Sequence, residues 1–152
     1  MKDLTNEEIN EILCTVGDGV LSLSIDDKPY GIPFGFVYIN GNIYLSMLPM
    51  GRKWEIINKN KNVCFTVFKW NDDHTEWASV VIDGEITIVD NLDEIELVVK
   101  ENIRKVGLKD EGYLEKRMEM YRKNINNPKS LKILRIDTSN IGGKKMKTLI
   151  GS

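Results

Sequence analysis

The sequence has 152 residues, enough for one domain with a substantial core and too few for two of comfortable size. Hydrophobic residues make up 41% of it and the formal net charge is -2, which argues against non-specific nucleic-acid binding but not against a local basic site. The opening segment, Met1 to Leu13, carries acids, and no stretch approaches the ~20 apolar residues of a membrane helix. Neither a secretory signal nor a membrane partner is therefore expected, and the expected location is the cytoplasm.

Thr5 followed by Glu8 makes a capping box, and Ile9, Ile12 and Leu13 repeat at helical spacing. They predict an amphipathic helix over 5–14, ended by Gly17 and Gly19. Val20 to Ile25 alternates as a strand does, and Asp26-Asp27-Lys28 is a polar turn. Tyr30 to Ile39 reads as a second strand, interrupted by Pro33 and Gly35. A proline there belongs on a sheet edge, at a bulge, or where the backbone faces something other than a strand. Asn40-Gly41 is a two-residue hairpin signal, with Ile43 to Leu45 as the return strand.

Met47 to Gly51 is a loop, and Arg52 to Asn58 reads as a helix with Trp54, Ile56 and Ile57 turned to the core. Val63 to Trp70 is a strand, Asn71 to His74 a polar loop, and Trp77 to Val89 one long strand with Gly84 as a bend or bulge. Charged helices are expected over 91–105 and 111–124, as solvated faces or dimer contacts. Asn126-Asn127-Pro128 is a stop and Leu131 to Ile136 a final strand. Ile141 to Lys145 either closes the sheet or forms a tail. Cys14 and Cys64 belong to no metal or redox motif and are expected to be buried free thiols. Hairpin-linked strands imply an antiparallel sheet. A single mainly β (α+β) domain over 1–152, a small barrel with helices at its rim, is the expected fold.

Three segments could carry chemistry. In Ser46 to Lys53 a strand ends, a loop with Gly51 follows, and Arg52 and Lys53 open a helix. A helix N-terminus is partly positive, so cations in its first turn point to a bound phosphate, with the Ser46 hydroxyl as a further donor. Both side chains pointing into water is the plain alternative. In Gly31 to Phe36 the glycines and Pro33 leave backbone groups free for a planar ligand along Ile32, Pro33 and Phe34; an ordinary bulged strand would read the same way. In Glu76 to Val80, Trp77 could stack on an aromatic ligand and Ser79 could donate a hydrogen bond; Trp77 could equally be a core or interface residue. His74 is the one histidine, so a Ser-His-Asp triad or a zinc site is not expected, and no phosphate-binding glycine motif of the nucleotide folds occurs.

The run Tyr30-Gly31-Ile32-Pro33 through Asn40-Gly41-Asn42-Ile43-Tyr44-Leu45, then Gly51-x-Lys53, resembles the FMN-binding split barrels related to pyridoxamine 5′-phosphate oxidase. Asn62 to Val67, Trp77 to Gly84 and Ile141-Gly142-Gly143-Lys144 continue the likeness over residues 15–145. The nearest branch is the nitroimidazole-resistance (Nim-type) reductases. This resemblance implies an antiparallel split β-barrel and a homodimer holding two FMN molecules at its interface. It places the phosphate on Lys53 with Arg52 assisting, the flavin ring along the backbone of Ile32, Pro33 and Phe34, and Ser79 close to the cofactor. Ser46 stands where that branch has a histidine linked to its reductase activity, which puts nitroimidazole reduction in question. The implied function is an FMN-dependent oxidoreductase of a small molecule, with a reduced nicotinamide as electron donor. The alternatives are a deazaflavin (F420) enzyme, a haem-binding barrel and a flavin-binding module without turnover.

Overall fold

Two tight turns set the first strands. Asp26 and Asp27 both have positive φ (51° and 60°), as do Asn40 and Gly41 (50° and 83°), the conformation of the two-residue hairpin turns that match strand twist. In the computed structural model, which describes residues 1–148, the elements run β1 (Lys2–Asp3), α1 (Asn6–Thr15), β2 (Asp18–Ile25), β3 (Lys28–Gly35), β4 (Val37–Ile39), β5 (Asn42–Met47), α2 (Gly51–Lys59), β6 (Asn62–Trp70), β7 (Glu76–Val89), α3 (Leu92–Val106), α4 (Tyr113–Asn124) and β8 (Lys132–Lys147). All strand pairs are antiparallel, in the order β3-β2-β6-β7-β8-β5-β4, with β1 added to β8.

β3 and β4 follow each other in the chain yet lie at opposite ends of this order. Phe36 alone carries the chain across, and the sheet curls on itself at that point. The expected single strand over 30–39 is therefore two strands. Three contacts fix the crossing: the Phe36 amide donates to Gly17 O at 3.2 Å, its carbonyl accepts from Lys105 Nζ at 2.9 Å, and its ring meets Phe65 edge-on at 5.2 Å. β3 and β5 approach within 8 Å between Cα atoms but form no ladder, so the barrel is split there rather than closed.

Inward-facing residues of the strands, among them Leu21, Phe65, Val67, Val80, Ile82, Leu134 and Ile136, fill the barrel. Ile9, Ile12 and Leu13 of α1 and Ile56 and Ile57 of α2 join the same cluster. A second cluster lies outside, where Ile95, Val98 and Val99 of α3 and Met118 and Tyr121 of α4 cover Val37, Tyr44 and Ile133. Gly84 is a bulge site: the β7–β8 register shifts there, and a Cβ would lie 2.4 Å from Asp137 O. The strand expected over 131–136 extends to Lys147, absorbing the segment Ile141 to Lys145 into the sheet.

The two cysteines are not buried as expected. Cys14 is exposed, because one residue past Leu13 an α-helix has turned by about 100° off its buried stripe. Cys64 is half-buried, because alternation along β6 turns it away from the barrel interior that Val63 and Phe65 face.

Candidate functional site

The split is lined on one side by the start of α2. Two of the four helices carry a side-chain cap on the N-cap residue, and α4, which starts from a left-handed Gly112, borrows an acceptor for its Leu114 amide from Asp110 and has Glu115 in its first turn. Thr5 and Glu8 form the α1 capping box, and Asn91 caps α3 with Asp93 and Glu94 in the first turn. α2 begins at Met50 with no side-chain cap and no acid in its first turn. Gly51 has φ +82°, which L side chains rarely adopt, so the glycine is what lets the backbone turn here. Arg52 and Lys53 follow, and among the described residues neither forms an ion pair.

β3 forms the other side. Its register with β2, set by the Asp26-Asp27 turn, directs the backbone groups of residues 28, 30, 32 and 34 at β2. Those of Pro29, Gly31, Pro33 and Gly35 point to the free edge. Both prolines thus sit where no ladder needs their missing N–H, as an edge strand requires. The Tyr30, Ile32 and Phe34 side chains turn inward and pack against the barrel core, while Pro33 is exposed. The Arg52 guanidinium lies over the Tyr30 ring at 4.3 Å from its centroid, tying α2 to β3 across the split. The partnership of Tyr30 and Arg52 is a feature that the sequence alone did not disclose.

Trp77 and Ser79 lie three strands away on the outer face of β7. That face is bare. Val20 of β2, Phe68 of β6 and Val81 of β7 itself are 42%, 50% and 41% exposed, and Met146 of β8 pairs with Trp77. Phe68 stacks on Trp77 at 5.8 Å and meets Trp70 edge-on at the same distance. The structure places Arg52, with Gly51 and Lys53 beside it on α2, against Tyr30 of β3, the strand that also carries Ile32, Pro33 and Phe34, and puts Trp77 and Ser79 elsewhere on the barrel wall.

Ser46 goes to a third place. It shares its face of β5 with Tyr44, against the helices, and lines a cavity that Tyr113, Arg117 and Tyr121 of α4 also line. No motif announced this cavity; its side chains come from β5, from α3 and α4 far along the chain, and from the loops flanking α4. Among the described residues no cluster of three metal-ligating side chains occurs, and no helix is long and apolar enough to cross a membrane.

Solved structures share this architecture. A 5-nitroimidazole antibiotic resistance protein from Bacteroides thetaiotaomicron is 19% identical, with a TM-score of 0.71 over 95% of this chain and 86% of that one. A FAD-binding protein from Mesorhizobium loti is 20% identical, with a TM-score of 0.66 over 96% and 98%. A NimC/NimA family protein from Clostridium acetobutylicum is 15% identical, with a TM-score of 0.57 over 93% and 86%. No curated protein sequence matches. The sequence model of the pyridoxamine 5′-phosphate oxidase family matches residues 5–145. The fold is the split β-barrel, and the chain belongs to the pyridoxamine 5′-phosphate oxidase family.

Proposed function

We propose that this protein is a flavoprotein that binds FMN at the split and passes electrons from a reduced nicotinamide to a small organic substrate. One observation carries the reading: α2 alone among the helices of the described residues has neither a side-chain acceptor for its first amides nor an acid in its first turn, and it places two cations without acidic partners there. That donor set fits a phosphate, whose charge answers the helix dipole and both side chains. The free backbone edge of β3 fits the rest of the molecule. The Gly31 amide and the carbonyls of Gly31 and Pro33 would hold the polar rim of a flat ring, and Arg52 stacked on Tyr30 keeps the phosphate end in place. The flavin, when bound, supplies the redox chemistry; the protein binds it, orients it and excludes water. The FAD-binding protein of the same fold supports a flavin over haem.

The reading includes a homodimer in the cytoplasm. Val20, Phe68, Trp70 and Val81 make an apolar outer face that the helices leave uncovered, of the kind that marks a protein interface. A second copy on that face would bring Trp77 and Ser79 of one protomer toward the split of the other. The absorption spectrum of the purified protein, with chromatography of the released cofactor, tests the cofactor. FMN in near one-to-one ratio is expected; a Soret band, a deazaflavin or bound FAD would refute it. Phe68→Asp is expected to convert a sedimenting dimer to a monomer, and an unchanged dimer would show that this face is not the interface.

A further inference from the structure

The cavity on the helical side of the sheet has features of a second ligand site. It encloses about 370 Å³, within the range of small-molecule pockets. Two stripes build it. Tyr113, Arg117 and Tyr121 follow at four-residue spacing on α4, and Val99, Ile103 and Val106 line one face of α3. Ser46 closes it from β5.

Arg117 is the unusual member. It is half-buried, and its Nε donates to the Tyr113 hydroxyl at 3.0 Å, with the guanidinium 5.5 Å from the Tyr113 ring centroid. One Nη reaches the Met120 sulfur at 3.8 Å. Acids on α3 and α4 and before α4 have other partners. Glu115 and Glu119 pair with Arg122, Glu101 with Arg104, and Asp110 accepts the Leu114 amide. Among the described residues Arg117 has no carboxylate partner, so a half-buried cation faces a hollow whose other lining is aliphatic and aromatic apart from the neutral Ser46 and Asn102. An uncompensated charge in such a place costs free energy that a bound anion would recover. Burial pushes the Tyr121 hydroxyl above its ordinary range, which keeps it a donor at neutral pH.

We propose that this cavity binds a monocarboxylate on a ring-sized apolar body, its carboxylate on Arg117 and its ring between the aliphatic face of α3 and the tyrosines of α4. One guanidinium fork matches one carboxylate; a phosphate dianion carries a second charge, and the lining supplies no second cation. The inference stands apart from the flavin reading, because neither Arg52 nor β3 contributes to the cavity and its test reads binding alone.

The probes are benzoate, benzyl alcohol and phenyl phosphate, titrated into the full chain and followed by amide chemical shifts. Benzoate is expected to saturate, moving resonances of α3 and α4, and to bind about tenfold more tightly than benzyl alcohol, the worth of one charge-assisted contact. Arg117→Leu is expected to cost benzoate about tenfold and leave benzyl alcohol unchanged. Val106 is 68% exposed at the mouth, so Val106→Trp leaves the fold intact and is expected to obstruct both ligands. Equal affinity for benzoate and benzyl alcohol would overturn the proposal. So would benzoate binding that Arg117→Leu or Val106→Trp leaves untouched, or phenyl phosphate binding more tightly than benzoate.

Discussion

The starts of α2 and α3 are built on opposite principles. At α3 every feature satisfies the helix locally: the Asn91 side chain accepts the Glu94 amide at 3.0 Å, and Asp93 and Glu94 answer the dipole. Glu94 then does more. Its Oε2 accepts from the Tyr44 hydroxyl at 2.6 Å and from Arg135 at 2.7 Å, which pins the helix to β5 and β8. At α2 the same positions hold Met50, Gly51, Arg52 and Lys53: no acceptor, no acid and two cations. A capping side chain is worth about 1 kcal/mol and a charge of the wrong sign costs about 0.3–1 kcal/mol, so α2 begins about 1–2 kcal/mol less favourably than α3. The contrast teaches where to look for a ligand. A helix start that its own chain leaves unsatisfied, at an opening in the barrel, is a site that an anion completes.

The largest expected effect breaks the α2 side of this contrast. Arg52→Ala with Lys53→Ala removes two charge-assisted contacts of about 1.5–3 kcal/mol each, so FMN affinity is expected to fall by about 10²–10⁴-fold. The ligand-free protein should change little in stability, because relief from two misplaced cations offsets the loss of the Arg52–Tyr30 stack. Equilibrium dialysis against FMN and a thermal melt of the apoprotein read the two halves separately. A flavin affinity within threefold of the parent would exclude the phosphate clamp.

Glu94→Gln breaks the α3 side, with a smaller effect read in stability. Burial raises the Glu94 pKa, but the hydrogen bonds from Tyr44 and Arg135 outweigh it and hold the carboxyl below its ordinary 4.5. Burial and the Glu94 carboxylate also push the Tyr44 hydroxyl up to about 12, so it remains a donor across the working range. The Glu94 and Arg135 side chains are 24% and 25% exposed, so the loss expected for Glu94→Gln is about 1–2 kcal/mol, below that of a fully buried pair. A carboxylate with a lowered folded pKa stabilises fully above its unfolded value and loses that contribution as pH falls through the folded one. The gap between parent and variant should therefore be constant from pH 6 to 8 and narrow below pH 4.5. Denaturant melts at both ends of that range check it; a gap that is the same at low pH would show that Glu94 acts through packing alone.

Much of this was legible in the sequence where the signal is local. Thr5 and Glu8 announced α1, Asn40-Gly41 announced a hairpin, Gly84 a bulge, and Pro33 an edge position. The cation pair beside Gly51 was readable because a helix dipole acts within a single turn. What escaped depends on partners distant in the chain. The break at Phe36 follows directly on Gly35, which marks an interruption in the sequence, but the contacts that fix the crossing come from Gly17, Phe65 and Lys105. β8 runs to Lys147 because β7 continues beside it, through a segment rich in glycine and lysine with no strand alternation. Ser46 was grouped with the α2 start because it is seven residues from Lys53. Alternation along β5 turns its side chain to α4 instead.

The smallest effect sharpens the comparison by making α2 resemble α3. Met50 is 61% exposed, so replacing it loses little packing, and its φ of −153° and ψ of 160° suit a capping aspartate. Met50→Asp supplies an acceptor for the Arg52 or Lys53 amide and an acid for the dipole. The ligand-free protein should gain about 0.5–1 kcal/mol, seen as a rise in Tm of roughly 2–4 °C. The new carboxylate competes for the same amides and repels a phosphate, so FMN affinity should fall by about tenfold while the apoprotein becomes more stable. Stability and binding thus move in opposite directions, which general damage to the fold cannot produce. A stabilised variant that still binds FMN with parental affinity would mean that the phosphate does not sit on these amides. A variant with no gain in stability would mean that the amides of α2 were never left unsatisfied.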